Sequence, residues 1–378
     1  MSVEKSRKAI YVASIFTHFR AFHIPFLRML QEEGFEVWAA ARTTNEADRK
    51  ELEAIGIKCV EVPFSRSPYS VSNFKAYRMM RKLFRENHFE LIHVHTPAAA
   101  FIARAAARGT GQGKVIYTAH GFHFYKGAPL KNWLIYCTAE KIARKWTDVL
   151  ITINKEDFEN GKKLDYKENR SLFLTHGVGV DIGRYQLPEE VRAATRTILG
   201  IDKESVVFIC IGELNKNKNQ KWLLEAWKEI DNEDCILLIV GDGRLRSELE
   251  AFTKNLEIKN VLYLGYREDI PELLSASDVL VSVSKREGLP KNVMEAMAAG
   301  KPVIGTNVRG TRDLVKHDES GLLVDLGNCE QLANALQMLS KSKDLREAYG
   351  LRARNLVEAY SVERAMEEIR GVYTASRS

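Results

Sequence analysis

The chain has 378 residues and a formal net charge of +6, and its composition is that of a soluble globular protein. This length predicts two domains rather than one. Residues 1–190 carry 29 Lys and Arg against 21 Asp and Glu, so the basic character belongs to the first half. The five scattered cysteines lack the spacing of a zinc site and predict reduced core residues in a cytoplasmic protein. The polar start and the short apolar runs predict neither a signal peptide nor a membrane span.

Short β-rich runs alternate with helical patterns along the whole chain. Alternation of this kind predicts βαβ units and parallel sheets. The predicted strands lie at residues 10–16, 36–41, 91–95, 114–118, 149–153, 206–211, 236–240, 261–264, 279–283 and 303–306. The alternation lapses in a polar stretch at 181–197 and restarts at Val206.

These elements predict an α/β fold of two doubly wound, Rossmann-like domains facing a cleft. We place the first domain at 1–187, the second at 188–358, and a C-terminal helix at 359–378 that packs back on the first domain. Ligands of such folds bind beyond the carboxyl ends of the strands, so residues that directly follow strands are the functional candidates.

A basic amphipathic helix is predicted at 74–86, where five Lys and Arg alternate with apolar residues. The apolar residues suit a helix that packs on the core and exposes its charges to water. A basic helix on a basic domain also suits an anionic membrane surface or a lipid-diphosphate acceptor. Nucleic acid is not a predicted partner, because no basic-aromatic interleaving or nucleic-acid module accompanies the charge.

Three histidines of the first half lie in or directly after predicted strands. His120 follows the strand at 114–118 and precedes a glycine, where it could bind a sugar hydroxyl or serve as a buried structural residue. His93 and His95 alternate along one strand and share a face. We expect them to be packed side chains, because no third metal ligand is suggested.

Two loops of the second half could approach phosphate groups. Gly212 ends the strand at 206–211 and opens a loop that contains Lys218, so backbone N–H groups and an ammonium could act together. A solvated basic turn explains the same loop. Gly241 follows the strand at 236–240 and permits a close backbone approach, as any tight strand-to-helix turn does.

The most informative stretch runs from Glu287 to Glu295, where the chain leaves a strand and enters a helix that is predicted to have Pro290 in its first turn and Gly300 just past its end. Free N–H groups at a helix start suit a diphosphate. Two carboxylates beside it would repel the phosphates unless they accept hydrogen bonds from neutral hydroxyls. A sugar and a ribose supply such hydroxyls, so this stretch predicts a nucleotide-sugar.

Metal chelation by paired aspartates is not expected. No two aspartates stand two residues apart in the sequence, which is the pattern by which one class of sugar transferases binds a divalent ion. Protein groups must then meet the charge of a leaving diphosphate, and the prediction includes no metal.

The stretch Glu287 to Glu295, continued through 296–304, resembles the two-glutamate motif and the following helix and strand of the retaining glycosyltransferases of family 4. These enzymes have the two-domain GT-B architecture, and the similarity spans essentially the whole chain. Supporting matches are 241–243, 261–265 with 269–271, and 321–324. The segments 18–23, 117–124 and 126–133 are similar to the EpsD-type exopolysaccharide glycosyltransferases within that family.

The resemblance implies roles for individual residues. Glu287 would contact hydroxyls of the donor sugar, Glu295 the ribose, Lys218 the diphosphate, and His120 the region of the anomeric carbon. The residues expected to complete the donor site are Gly212, Gly241, Arg267, Gly288, Leu289 and Asn292. The residues expected to bind the acceptor are His18, His23 and Lys126.

One departure from the family concerns the diphosphate. The family usually has arginine after the glycine that ends the first strand of the second domain, and this chain has Glu213 there. A carboxylate cannot bind diphosphate, so Glu213 either points elsewhere or pairs with a cation such as Lys216. The glycine pair often seen near the opening strand is also replaced, by Thr17-His18-Phe19.

The predicted activity is that of a retaining, metal-independent hexosyltransferase in exopolysaccharide or capsule biosynthesis. It would move a hexose or N-acetylhexosamine from a nucleotide-sugar, with a UDP-sugar favoured, to a lipid-linked saccharide. The protein would be cytoplasmic and peripheral to the inner membrane, and no cofactor is expected because the nucleotide-sugar is a substrate. The alternatives are a nucleotide-sugar epimerase of the same architecture and a non-catalytic lipid- or nucleic-acid-binding protein.

Overall fold

The computed structural model describes residues 7–65, 67, 70–230 and 234–375. It divides into two compact units: Met1–Val178 with Glu363–Ser378, and Gly179–Val362. Each unit has one parallel sheet with helices between its strands, so the predicted α/β class with two Rossmann-like domains is confirmed.

The first unit has a seven-stranded sheet in the order β3-β2-β1-β4-β5-β6-β7. Its strands are β1 (Arg7–Ile15), β2 (Phe35–Arg42), β3 (Lys58–Glu61), β4 (Leu91–Val94), β5 (Lys114–Ala119), β6 (Val149–Thr152) and β7 (Leu172–Leu174). Its helices are α1 (Phe16–Phe22), α2 (Ile24–Glu32), α3 (Glu46–Ala54), α4 (Val71–Glu86), α5 (Pro97–Ala107), α6 (Leu130–Asn132), α7 (Thr138–Ala143) and α8 (Lys155–Lys163).

Strand β1 shows why both faces of this sheet are covered. Successive side chains of a strand point to opposite faces. Ile10 and Val12 pack into one apolar cluster with α4 and α5, whereas Ala9, Tyr11 and Ala13 pack into a second cluster on the other face. A strand that is apolar at five consecutive positions, 9–13, therefore belongs in the middle of a covered parallel sheet.

The second unit has a six-stranded sheet in the order β10-β9-β8-β11-β12-β13. Its strands are β8 (Val206–Ile211), β9 (Cys235–Val240), β10 (Val261–Gly265), β11 (Val279–Ser282), β12 (Val303–Thr306) and β13 (Gly321–Val324). Its helices are α9 (Glu189–Leu199), α10 (Gln220–Trp227), α11 (Arg246–Asn255), α12 (Ile270–Ala276), α13 (Lys291–Ala298), α14 (Thr311–Leu314), α15 (Cys329–Lys341) and α16 (Lys343–Val357).

The last helix, α17 (Val362–Ala375), packs on the first unit as the sequence predicted. Ala365, Ile369, Val372 and Tyr373 recur at helical spacing and are buried against the face of the sheet that contains Tyr11. A helix whose apolar stripe is buried in this way is held by the first unit although it is the last element of the chain.

The boundary between the units lies after Val178, nine residues before the predicted position at 187/188. The polar composition that marked the predicted boundary does not show which unit holds these residues. Val180 donates its N–H to the carbonyl of Tyr360 (2.9 Å) and accepts from the N–H of Val362 (3.1 Å), and Tyr185 is buried in an apolar cluster of the second unit. The second unit likewise extends to Val362 rather than to 358.

Three strands lacked a sequence prediction, namely β3, β7 and β13. Each forms an edge of its sheet, and each has only three or four residues. Edge strands need only one paired neighbour and are often short, so their apolar signal is weak.

The predicted basic helix is α4, which begins at Val71, three residues earlier than expected. Ala76, Met80 and Phe84 form its buried face, in agreement with a helix that packs on the core. Phe74 was expected to lie on the apolar face of this helix, but its side chain is exposed. Among the helices that the structure describes, none is long and apolar enough to cross a membrane.

Candidate active site

The carboxyl edge of the second sheet gathers several of the predicted residues. Strands β8 and β11 are neighbours at the point where the strand order reverses, and such points form crevices at the carboxyl ends. Gly212 directly follows β8, Gly241 directly follows β9, and Glu287 lies in the loop between β11 and α13. Residues that are far apart in sequence therefore meet at one edge.

Lys218 and Glu287 form an ion pair at this edge. The Nζ atom of Lys218 lies 2.7 Å from Oε1 of Glu287, and the two side chains are 23% and 14% exposed. Partial burial strengthens such a pair relative to one on the open surface, because water screens it less. The predicted diphosphate lysine and the predicted sugar carboxylate thus hold each other in place.

Two further side chains hold the loop that carries Glu287. The side chain of Asn217 donates from Nδ2 to the carbonyl of Arg286 (3.0 Å), and its backbone carbonyl accepts from the N–H of Lys285 (2.8 Å). Arg309, which is buried, donates from Nε to the carbonyl of Glu287 (3.1 Å). Sequence reasoning assigned no role to either residue. The available signal for Arg309 was its position just after β12, the neighbour of β11.

Glycines allow the strand-following loops to touch through their backbones. A Cβ atom on Gly241, whose φ is 129°, would lie 2.1 Å from the carbonyl oxygen of Gly212. Real side chains do not tolerate such a distance, so only glycine fits. The two predicted glycines are therefore in contact at the carboxyl edge.

Glu295 lies in the second turn of α13 and is partly buried. The hydroxyl of Tyr185 donates to its Oε1 (2.8 Å), and Nζ of Lys291 lies 3.8 Å from the same oxygen. Burial raises the pKa of the Glu295 carboxyl, and Lys291 and the Tyr185 hydroxyl oppose this rise. Tyr185 had no predicted role, because the sequence placed it in the other domain.

The remaining predicted donor residues surround α13, with one exception. Gly288 and Leu289 connect Glu287 to the helix, and Asn292 donates from Nδ2 to the carbonyl of Ile211 (2.9 Å), which ties the helix start to the end of β8. Arg267 lies in the loop after the edge strand β10 and is paired with Asp269, with 2.7 Å between its Nε and Oδ1. The structure does not bring Arg267 into contact with the Lys218–Glu287 pair.

Glu213, which replaces the expected arginine, points into solvent. Its carboxylate forms no ion pair with any residue in the described part of the chain, and Lys216 is exposed as well. Only its backbone carbonyl is bonded, by Nε2 of Gln220 (3.2 Å). Of the two possibilities that the sequence left open for Glu213, pairing with Lys216 is wrong.

In the first unit, four histidines meet at the carboxyl edge of the sheet: His18, His23, His95 and His120. One ring nitrogen from each lies within 4.8 Å of the others. Nε2 of His23 is 3.1 Å from Nε2 of His18, and Nδ1 of His95 is 3.1 Å from Nε2 of His120. His95 is buried, as expected for a packed side chain, but the sequence did not show that three other imidazoles lie beside it. They meet because β1, β4 and β5 are neighbours in the sheet and each is followed by one or two of these residues.

Burial disfavours the charged form of three of these imidazoles, those of His23, His95 and His120. Burial lowers the pKa of His120 to about 4, and it lowers the pKa of His23 and His95 well below the usual range. His93 lies behind the group, where its Nδ1 is 2.7 Å from the hydroxyl of Tyr373 and its Nε2 is 2.7 Å from that of Thr118. His93 is thus a packed side chain, as expected.

Lys126, the third residue predicted to contact the acceptor, is outside the group of four histidines. It is exposed in the loop before α6, and its backbone N–H donates to Oε1 of Glu156 (2.6 Å). His18 and His120 are only partly buried, so they form the accessible side of the histidine group.

Comparison with known proteins identifies both halves. A family model described as "Glycosyl transferase 4-like" matches residues 11–154, and one described as "Glycosyl transferases group 1" matches residues 191–356. The chain is 34% identical to the "Putative glycosyltransferase EpsD" of Bacillus subtilis over 98% of its own length and 97% of that protein. It is 30% identical to the UDP-Gal:alpha-D-GlcNAc-diphosphoundecaprenol alpha-1,3-galactosyltransferase of Escherichia coli, over 80% of each chain.

The fold is also shared with solved structures. Anabaena Alr3699/HepE in complex with UDP and glucose superposes with a TM-score of 0.82 at 19% identity, covering 98% of this chain and all of that one. The chain therefore belongs to the glycosyltransferases, with a glycosyl transferase 4-like first half and a group 1 second half.

Proposed function

We propose that this glycosyltransferase moves a hexose or N-acetylhexosamine from a UDP-sugar to a saccharide carried on a lipid diphosphate. The ion pair between Lys218 and Glu287, beside the start of α13, carries the proposal for the donor. The Escherichia coli relative, which is named for a UDP-sugar donor and a diphosphoundecaprenol acceptor, supports the classes of both substrates. The second unit binds the donor and the first unit binds the acceptor.

The donor residues bind different parts of the nucleotide-sugar. Negative charge grows on the diphosphate as the glycosidic bond breaks, and the ammonium of Lys218 and the positive end of the α13 dipole stabilise it. Glu287 accepts hydrogen bonds from sugar hydroxyls, and Glu295 accepts them from the ribose. These protein groups meet the diphosphate charge, so the transfer step requires no metal.

The reaction retains the anomeric configuration. The acceptor hydroxyl forms the new bond to the anomeric carbon on the face from which the diphosphate departs. The bond from that carbon to the diphosphate oxygen breaks, and the hydroxyl proton passes to the leaving phosphate. His120 contacts the sugar near the anomeric carbon as a neutral imidazole, which suits its lowered pKa of about 4.

The first unit approaches the cytoplasmic face of an anionic membrane. Val71 and Phe74 on α4 are 86% and 64% exposed, and Lys75 and Arg78 lie on the same helix. Exposed apolar side chains beside basic ones suit binding to anionic lipid, where a lipid-linked acceptor resides.

A donor screen tests the proposal. The full chain is expected to gain thermal stability with UDP-sugars more than with GDP- or ADP-sugars, and to transfer the sugar to a synthetic polyprenyl-diphosphate saccharide in the presence of EDTA. NMR of the product should show the anomeric configuration of the donor. An inverted product would contradict retention, and a new epimer formed without acceptor would identify an epimerase. A chain that no nucleotide-sugar stabilises would be a non-catalytic binding protein.

The Gly310→Ala substitution is expected to lower kcat/KM for transfer by about 10- to 100-fold. A Cβ atom at this position would lie 2.3 Å from the carbonyl oxygen of Gly288 and would displace the backbone next to Glu287. Steady-state kinetics with the best donor of the screen measures the effect.

Gly200→Ala is the matched control for this substitution. Gly200 has a φ of 68°, close to the 77° of Gly310, but a Cβ there meets nothing within 4 Å. The Gly200→Ala variant therefore has the strain of a left-handed alanine, roughly 1–2 kcal/mol, but no steric clash with a neighbouring backbone. Equal kinetics of the two variants would show that the contact with Gly288 does not position the donor site.

A further inference from the structure

The four histidines at the carboxyl edge of the first sheet converge in a way that the proposed transfer reaction does not explain. Of these residues, only His120 is given a part in the transfer of the sugar, and His18 and His23 were expected only to contact the acceptor. Their convergence comes from three neighbouring strands and is independent of any role in the reaction.

The spacing of the ring nitrogens is close to that of a tetrahedral metal site. Zinc binds histidine nitrogens at about 2.0–2.1 Å, which places the ligand atoms of a tetrahedron about 3.3 Å apart. The nitrogens of the pairs His18–His23 and His95–His120 are each separated by 3.1 Å, and one ring nitrogen from each of the four residues lies within 4.8 Å of the others. Small rotations of the partly buried rings would close the remaining distance.

The ring chemistry also suits a metal, because a transition-metal ion binds imidazole through one ring nitrogen. The ligand nitrogen of His95 is then Nδ1, which lies 3.1 Å from Nε2 of His120, and the opposite nitrogen, Nε2, is buried behind it.

The neighbouring histidine is excluded from the ligand set. Both ring nitrogens of His93 are occupied, one by Tyr373 and the other by Thr118. His93 instead packs against the ring of His95, with 4.2 Å between the centroids. The ligand set therefore consists of four imidazoles, a set that favours borderline ions such as Zn²⁺, Co²⁺, Ni²⁺ and Cu²⁺ over Mg²⁺ or Ca²⁺.

We propose that His18, His23, His95 and His120 bind one divalent transition-metal ion, with Zn²⁺ as the representative ion. The site departs from the sequence-based expectation of no metal, and it lies wholly in the first unit. The ion enters from the side of His18 and His120, which are the partly exposed members of the group. The bound ion is coordinated by the ring nitrogen of His120 that faces the other three histidines.

A titration of the chelator-treated full chain with Co²⁺ tests the proposal. Four-coordinate cobalt with imidazole ligands gives intense visible absorption bands, and the hydrated ion does not. The expected result is a band that saturates at one ion per chain and disappears when Zn²⁺ is added. X-ray absorption of the zinc-loaded wild type should show four nitrogen ligands at about 2.0 Å. Absence of a saturable band, or a shell of oxygen ligands, would overturn the site.

Single substitutions then assign the ligands. His18→Ala should weaken Zn²⁺ binding by more than the roughly 10- to 100-fold that loss of an outer-shell partner costs. His88→Ala is the control, because His88 lies in the same unit but outside the group. Equal affinity of His18→Ala and wild type would contradict the assignment. The absorption experiment on the wild type decides the case if the variant does not fold.

Inhibition of transfer by zinc would depend on a second condition. It follows only if His120 also has the role proposed for it in the reaction, whereas the cobalt spectrum does not depend on that role. A chain that binds cobalt as described but transfers no sugar would retain the metal site and lose the proposed function. A chain that transfers sugar but shows no cobalt band would support the proposed function and contradict the metal site.

Discussion

Lys218→Ala is expected to lower kcat/KM for sugar transfer by on the order of 10²-fold or more. The substitution removes the ammonium that meets the charge of the leaving diphosphate and leaves the carboxylate of Glu287 partly buried without its partner at 2.7 Å. Glu287→Gln should also lower the rate strongly, because the neutral amide is a weaker acceptor for sugar hydroxyls than the carboxylate. Steady-state kinetics with the donor and acceptor of the screen measures both effects.

The double variant separates a joint role from two independent roles. Side chains in direct contact give non-additive effects. Lys218→Ala combined with Glu287→Gln should therefore be little worse than Lys218→Ala alone. A loss equal to the product of the two single losses would contradict the contact seen in the structure.

Lys216→Ala is the matched control for the charge of this loop. Lys216 lies two residues before Lys218 and is exposed, so its removal should leave kcat/KM within about twofold, as is usual for exposed side chains away from a site. Full activity of both Lys218→Ala and Glu287→Gln would show that the donor-site assignment is wrong.

The largest expected loss of stability comes from the buried ion pair of Arg104 and Glu140. The guanidinium is fully buried and donates to both carboxylate oxygens of Glu140, at 2.8 and 3.0 Å, and its Cζ lies 4.2 Å from the centre of the Tyr117 ring. Arg104→Met would leave the Glu140 carboxylate, only 10% exposed, without a partner. Breaking such a pair costs about 3–5 kcal/mol. Urea denaturation of the full chain measures the change in unfolding free energy.

A second substitution distinguishes loss of charge balance from loss of packing. Replacing both partners with apolar residues removes the uncompensated charge, so Arg104→Met with Glu140→Leu should recover most of the lost stability. Lys82→Met, which breaks the exposed pair with Glu86, should cost only about 0.3–0.5 kcal/mol. An Arg104→Met variant as stable as Lys82→Met would show that the buried pair does not stabilise the unit.

The sequence predicted the fold class and ten of the strands because these depend on local patterns. An apolar run of strand length followed by a helical pattern is visible in each segment, and repetition of that pattern implies a parallel sheet. The edge strands β3, β7 and β13 were missed because they are short and need only one paired neighbour. The positions of Gly212, Gly241 and Glu287 after strands could be predicted for the same reason, because each position depends only on the neighbouring segment of sequence.

Local sequence patterns were sufficient to predict the two-domain class, ten of the strands and the residues that follow those strands. Which of these residues meet depends on how the elements pack in three dimensions. Lys218 with Glu287, Tyr185 with Glu295, and His18 with His120 are contacts that depend on strand order and on packing between distant segments. The same holds for the boundary at Val178 and for the partners of α17. Periodicity records which face of an element is apolar, but it does not record which other element covers that face.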